Sequence, residues 1–406
     1  MRNVIFVAPF PLETTMRFAR AAGKLADVRL LGIFQQAPGG DDGALFHEVV
    51  TVKDGLDSRQ LIEAGLYLQK KYGAVHRIIG ILEVIQVQIA ELRQALGVPG
   101  PSPVTADLFR DKARMKDELR RHGLPCAQHQ TIHSYAEAEA LVQRVGLPIV
   151  LKPPAGMGCK ATWRINTRDE LRGAVQAMHA SPENPCLAEE FLRGKEYSFE
   201  TITIGGEVRW TSLTRYFPTP LEVMETPWIQ WAVVLPREVD TAEFAGVRAL
   251  GTRVVQALGL ETGMTHMEWF RKDDGSLAIG EIAARPPGAH IVLMNSYAYD
   301  TDMYRAWARA VVDDAFDGPS DGERKYAVGT AFLRGVGRGR VVAVEGVEAA
   351  NKLVGHLVVK AHLPSRGTFK SDSYEGDGYI VVRDPDTDVV KAAVKTIIET
   401  IAIQYG

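Results

Sequence analysis

The chain has 406 residues, 46% of them hydrophobic and 24% charged, with a formal net charge of −3. That length predicts roughly two to four domains, and the near-neutral balance lacks the basic stripe that nucleic-acid backbones demand, which argues against that partner. Three scattered cysteines, Cys126, Cys159 and Cys186, fit a reducing cytosol, and no run reaches the ~18 apolar residues of a spanning helix, which argues against a membrane.

Asn3–Val7 is β-rich and Pro9 and Pro11 follow it, so it reads as a buried first strand and not as a signal peptide. A helical stretch at about Met16–Leu25 and a strand at about Val28–Gly32 continue an α/β opening. A helix near Arg59–Tyr72, a strand near Arg77–Ile81 and a helix near Gln86–Leu96 follow, up to the breaking run PGPSP at 99–103. The pattern then predicts one helix from about Asp107 to His122, stopped by Gly123. Ser134 with Glu137, and Thr167 with Glu170, read as capping boxes on either side of a strand at Pro148–Lys152. Strands are expected at Leu187–Leu192 and Tyr197–Ile204, and the Pro- and aromatic-rich stretch 216–235 reads as irregular. A helix at 241–258 precedes strands at 264–272 and 277–285, and another helix lies near Met303–Val312. DGPSDGE at 317–323 reads as a linker to a tail of short strands, closed by a helix at about Asp388–Ile403.

The segment MTHMEWFRKDDGSLAIGEIAAR, 264–285, carries the most information. Asp274-Gly275 between two β-rich runs is a strong hairpin signal. With those two residues as the loop, Asp273 faces Ser276, and counting outward places Glu268 opposite Glu281. Two carboxylates so placed repel and call for a cation, for which Mg²⁺ is the economical choice. Ala283 and Arg285 share the face of Glu281, and His266 faces Ala283. Arg285 offers a cationic fork for phosphate or carboxylate. The same pattern also fits an exposed hairpin with a charged outer face.

Lys152 ends an apolar strand and is followed by PPAGMGCK, where Gly156 and Gly158 would let backbone N–H groups approach an anion and Lys160 adds charge. On its own that segment reads more readily as an ordinary loop, and it matches neither a Walker A nor a dinucleotide spacing. Lys112 lies near a helix start in RDKARMK, and LAEEFLRGKEYSFE, 187–200, joins two strands through a glycine turn and carries Glu196.

In order, DKARMK, VLKPPAGMGCKAT, AEEFLRGKEYS and HMEWF…GEIAARPPG resemble the ATP-grasp superfamily, and within it the L-amino acid ligases and related carboxylate–amine ligases. The resemblance covers nearly the whole chain and implies an α/β and α+β ATP-grasp fold. Its expected parts are an N-terminal parallel-sheet α/β domain at 1–104, an ATP-grasp domain with a central antiparallel sheet at 105–320, containing a mobile lid at about 125–188, and a C-terminal domain at 325–406 completing the ligase core. It further implies Mg-ATP (with Mn²⁺ as an alternative ion), a cytoplasmic enzyme, small carboxylate and amine substrates, and a homodimer.

By the same resemblance, Lys112 and Lys152 would contact ATP phosphates, and Gly156 to Lys160 would form the loop over them. Glu189 would accept from the adenine amino group, with backbone at Glu190 and Leu192 reading the ring edge, and Glu196 would hold the ribose. Glu268 and Glu281 would bind the metal, and Arg285 with Lys152 would act on the transferring phosphate. His266 and His290 are candidates for the substrate site. Two departures from the family stand out: Ala283 occupies the position usually held by a metal-binding Asn, and Cys159 stands where Ser is common. The implied chemistry is attack of a carboxylate on the γ-phosphate, then displacement of phosphate by an amine. An ATP-grasp carboxylase or purine-pathway type of enzyme, and an ATP-binding regulatory module without catalysis, are the alternatives.

Overall fold

The structure is a computed structural model describing residues 1–156, 161–226, 229–320 and 323–406. Gly158, Cys159 and Lys160 therefore lie outside the described residues. Strands β1 (Arg2–Ala8), β2 (Val28–Phe34), β3 (Glu48–Thr51) and β4 (Val75–Ile79) form a parallel sheet in the order β3-β2-β1-β4. Every residue of β1 after Arg2 is buried, as expected of an inner parallel strand covered by helices on both faces. Helix Glu13–Gly23 packs on helix Met303–Asp313, with Phe18 edge-on to Tyr304 and Trp307 at 4.9 Å each.

A second sheet comprises β5 (His129–Ile132), β6 (Ile149–Lys152), β7 (Trp163–Ile165) and β8 (Cys186–Glu190), ordered β5-β8-β6-β7 and antiparallel throughout. Its own core contains Ile132, Leu141, Ile149, Leu151, Leu171 and Ala188.

The largest sheet has eight strands. It takes β9 (Gly194–Ile204), β10 (Glu207–Phe217), β11 (Trp231–Leu235), β12 (Gly263–Lys272), β13 (Leu277–Ala283) and β14 (Ala327–Leu333). After β15 (Val341–Glu345) it is completed by β16 (Val358–His362) and β17 (Gly378–Asp384). The order is β13-β12-β9-β10-β11-β14-β17-β16, and β15 pairs separately with β18 (Ala402–Tyr405). The ladder between β11 and β14 makes this sheet continuous across residues 317–323. Among the described residues, no helix is long and apolar enough to cross a membrane.

Several sequence expectations are corrected. The helix expected over Asp107–His122 is two helices, Pro103–Leu108 and Lys112–Arg121. Asp111 restarts the chain by accepting from the N–H groups of Ala113 and Arg114, as an N-cap does, which fixes Lys112 in the first turn. Ser134 and Thr167 do cap their helices, but the carboxylates of Glu137 and Glu170 accept from His133 and Asn166 and so do not close a reciprocal box. The reciprocal box is at Thr219 and Glu222. The stretch 216–235 is not irregular: it contains the end of β10, helix Pro220–Glu225 and the wholly buried β11. The last helix is Thr387–Thr400, and β18 follows it.

Candidate active site

Strands β9, β12 and β13 lie side by side, so their alternate residues form rows across one face. One row is Ser198, Glu268 and Glu281, and the next is Glu200, His266 and Ala283. The turn behind them is not the two-residue loop read from Asp274-Gly275. Lys272 N donates to Ser276 O at 2.9 Å and Gly275 N to Lys272 O at 2.8 Å, with Gly275 left-handed at φ 81°, so three residues turn the chain. That shifts the register by one, and a bulge at Gly280 shifts it back, restoring the opposition of Glu268 and Glu281.

Three lysines converge on this ladder. Lys112 Nζ donates to Gly156 O at 2.9 Å and lies 3.2 Å from Glu281. Lys152, at the end of β6, is 2.9 Å from Glu189 and 4.0 Å from Glu281. Lys116, which the sequence reading did not single out, is wholly buried; its Nζ donates to the bulge carbonyl of Gly280 at 2.5 Å and lies 2.8 Å from Glu189. Its spacing from Lys112 puts both on one helix face, which is the signal that could have found it. Both Glu189 oxygens thus face lysines. Its carboxylate lies between Lys116 and Lys152.

The charges sort the carboxylates. Burial would raise Glu281, but Lys112 and Lys152 outweigh it and bring the group to about 2. Glu189 likewise falls to about 2 because Lys116 and Lys152 outweigh its burial. Burial, then Glu281, pushes Glu268 up to about 7, and burial with Glu268 and Glu281 holds Glu196 well above the usual carboxylate range. Burial pulls Lys116 down, whereas Glu189 and Glu281 overcome burial to hold Lys152 firmly charged.

Arg285 follows β13. Its Nε and Nη2 donate to Glu83 at 3.1 and 2.8 Å, and its Nη1 donates to Pro286 O at 2.9 Å. Glu83 is 4% exposed, comes from the segment after β4, and also receives Arg110 at 3.3 Å. Nothing in the local sequence marks Glu83. Beside this cluster, Glu200 is wholly buried and accepts from Ser198 Oγ at 2.6 Å and Thr214 Oγ1 at 3.2 Å, with His266 Nδ1 at 3.0 Å. The other ring nitrogen of His266, Nε2, lies 3.9 Å from Glu268. The His290 ring lies 3.9 Å from that of Tyr379, tilted by 34°, and burial, then Arg17 and His362, lowers it to about 4.

One cavity of about 840 Å³ joins these groups. Lys112, Lys152, Gly156, Glu189, Glu190, Leu192, Glu196, His266, Glu268, Glu281, Arg285 and His290, all chosen from sequence, line it. Glu190 ends β8 with its N–H on Gln128 O at 2.8 Å, Leu192 lies in the link to β9, and Glu196 stands near the start of β9.

These residues fit a divalent cation. A carboxylate raised by burial and by a like neighbour is relieved by a cation, and hard oxygen donors suit Mg²⁺. Among the described residues no group of three or more His, Cys, Asp or Glu encloses a metal unaided. A cation at Glu268 and Glu281 would draw its other ligands from phosphate oxygens and water.

Residues 117–296 match the model of the ATP-grasp domain. Over 241 residues the chain is 27% identical to the L-arginine-specific L-amino acid ligase of Bacillus subtilis, covering 58% of this chain and 57% of that protein. It is 30% identical over 194 residues to the phosphoribosylamine–glycine ligase of Ralstonia nicotianae, covering 46% and 45%. The chain spans 57% and 66% of the length of the first two curated relatives it matches. In fold it is similar to the L-amino acid ligase of Bacillus licheniformis, with TM-score 0.81 and 18% identity over 100% of this chain and 99% of that one. It is also similar to the N5-carboxyaminoimidazole ribonucleotide synthetase of Thermotoga maritima, with TM-score 0.71 and 19% identity over 100% of both.

Proposed function

We propose that the chain is an ATP-grasp enzyme, an ADP-forming carboxylate–amine ligase acting on an amino acid through an acyl phosphate. The observation that carries this reading is the row of facing carboxylates, Glu268 and Glu281, with Lys112 and Lys152 beside it and Arg285 in the same cavity. The 27% identity over 241 residues to an L-arginine-specific L-amino acid ligase supports an amino-acid substrate.

Phosphoryl transfer asks mainly for positioning and neutralised charge. Lys112 and Lys152 take the phosphates, and Lys112 exchanges its bond to the Gly156 carbonyl for one to a phosphate oxygen. Backbone groups at Glu190 and Leu192 read the adenine edge, Glu196 holds the ribose, and Glu189 keeps Lys152 in place. Glu268 and Glu281 hold Mg²⁺, which supplies positive charge at the transferring group. Arg285 has one N–H left on each terminal nitrogen, and these meet the carboxylate as it attacks the γ-phosphate. The second step breaks the acyl–phosphate bond and forms the amide, releasing phosphate. The sheet β5–β8 closes over the nucleotide and excludes the water that would hydrolyse the acyl phosphate.

The test is a phosphate-release screen of paired amino acids, other carboxylates and bicarbonate, with mass detection of products. Amino-acid-dependent release with an amide product is expected. Release that depends on bicarbonate would indicate a carboxylase. Stabilisation by nucleotide with no ADP formed from any substrate would indicate a binding module.

A further inference from the structure

Beyond Arg285, the cavity is walled by the turn Pro286–His290 and by residues 371–375, shortly before β17. Glu375 reaches from that segment to the turn, where its Oε1 accepts the Ala289 N–H at 3.0 Å. Ala289 and His290 are both left-handed, at φ 50° and 55°. Two successive non-glycine residues in that region cost energy and persist only where the surroundings enforce them, typically at ligand sites. Among the described residues no ion pair is seen at the half-buried Glu375 carboxylate; desolvation raises it, against the Ala289 N–H, which lowers it. Aromatic groups stand nearby in the same wall, with Tyr374 edge-on to Trp231 at 4.8 Å.

A carboxylate that lines a cleft without a cation is relieved when a cationic ligand enters. Arg285 stands four positions before Ala289, on the same wall, with donors left for an anion. A guanidinium and a carboxylate lining one cavity match a molecule bearing a carboxylate and an ammonium on the same carbon. We propose that Glu375 is the counter-ion for the α-ammonium of an amino-acid substrate whose carboxylate faces Arg285. The inference rests on the ligase reading above and adds the residue that makes the acyl site select amino acids over simple carboxylic acids. Tyr374 and Trp231 add a cation–π wall to the same group.

Glu375→Gln separates this role from a structural one, because the amide oxygen still accepts the Ala289 N–H while the charge is lost. Amino acids are compared with their deaminated acids as acyl substrates: L-arginine with 5-guanidinopentanoate, and L-phenylalanine with 3-phenylpropionate. ADP formation and calorimetric binding in the presence of Mg²⁺ and a non-hydrolysable ATP analogue are both read. The wild type should favour the amino acid by about tenfold or more, the scale of one charge-assisted contact. Glu375→Gln should erase that preference, leaving KM for ATP and the binding of the deaminated acid unchanged. An unaltered preference in Glu375→Gln, or an equal loss for both members of each pair, overturns the assignment while leaving the ligase reading intact. Failure of every carboxylate to release ADP overturns both.

Discussion

Glu83 and Arg285 are 202 residues apart in sequence, yet one oxygen of Glu83 receives two N–H groups of the Arg285 guanidinium. The α/β unit thereby fixes a cation at the end of the central hairpin. Substituting Glu83→Gln keeps the shape and removes the charge that orients Arg285. The expected result is a fall in kcat of about tenfold to a hundredfold, the range seen when a positioned group loses its support, with KM for ATP unchanged. Arg285→Lys should lower kcat comparably, and the double variant should be little worse than either single one, since the two act as a unit. Additive losses, or a drop in melting temperature with kcat intact, would show that Glu83 is structural only.

The facing carboxylates make a second prediction. Glu281→Gln and Glu268→Gln should each reduce ADP formation by about a hundredfold or more, the scale on which loss of a charge-stabilising group acts. Mn²⁺ binding in the presence of ATP, followed by electron paramagnetic resonance, should weaken in parallel. Near-wild-type rates and ion affinity in either variant would remove these residues from the metal site.

Lys116 is wholly buried, donates to the Gly280 carbonyl and lies 2.8 Å from Glu189. Lys116→Met retains most of the volume but leaves the Gly280 carbonyl short of a donor and Glu189 short of a counter-charge. Breaking one side of a buried pair costs about 3–5 kcal/mol, reduced here because Lys152 still faces Glu189. A lower urea midpoint with an unchanged m-value is expected. Unchanged stability would mean that the bulge does not depend on this lysine.

His290 supplies a pH signature. Burial holds it at about 4 in the fold, against an ordinary value of about 6.5. Below about 6.5 the unfolded chain binds a proton that the folded chain refuses, so stability falls as pH drops from about 6.5 toward 4 and this contribution then levels off. His290→Asn, which tolerates the left-handed backbone, should flatten that part of the stability–pH curve by about 1–2 kcal/mol, a discounted share of the shift because the ring is not fully buried. Parallel curves for both proteins between pH 4 and 6.5 would rule the contribution out.

Much of the site is legible because chemistry and periodicity coincide in short segments. HMEWF and GEIAAR announce the carboxylate row, and the strand end at Lys152 announces a cation. The route to the row is less legible. The tight-turn reading of Asp274-Gly275 and the flat-ladder reading of Gly280 each err by one residue, and the errors cancel at Glu268 and Glu281. Glu83 and Glu375 are invisible locally, because their partners Arg285 and Ala289 come from far along the chain. The break at Asp111 is a capping choice that competes with continued helical periodicity, and β11 hides in a stretch whose prolines suggest disorder of the pattern although its five residues are wholly buried.

The ladder joining β11 to β14 has a practical consequence. Trimming the protein at the 317–323 stretch, as its composition invites, would strip β11 of its partner and bare a row of unsatisfied peptide groups along a hydrophobic strand. Such an edge recruits other chains. Shortened versions should therefore come out of expression as aggregates, whereas the two pieces produced together have a ready template on which to knit back into one body.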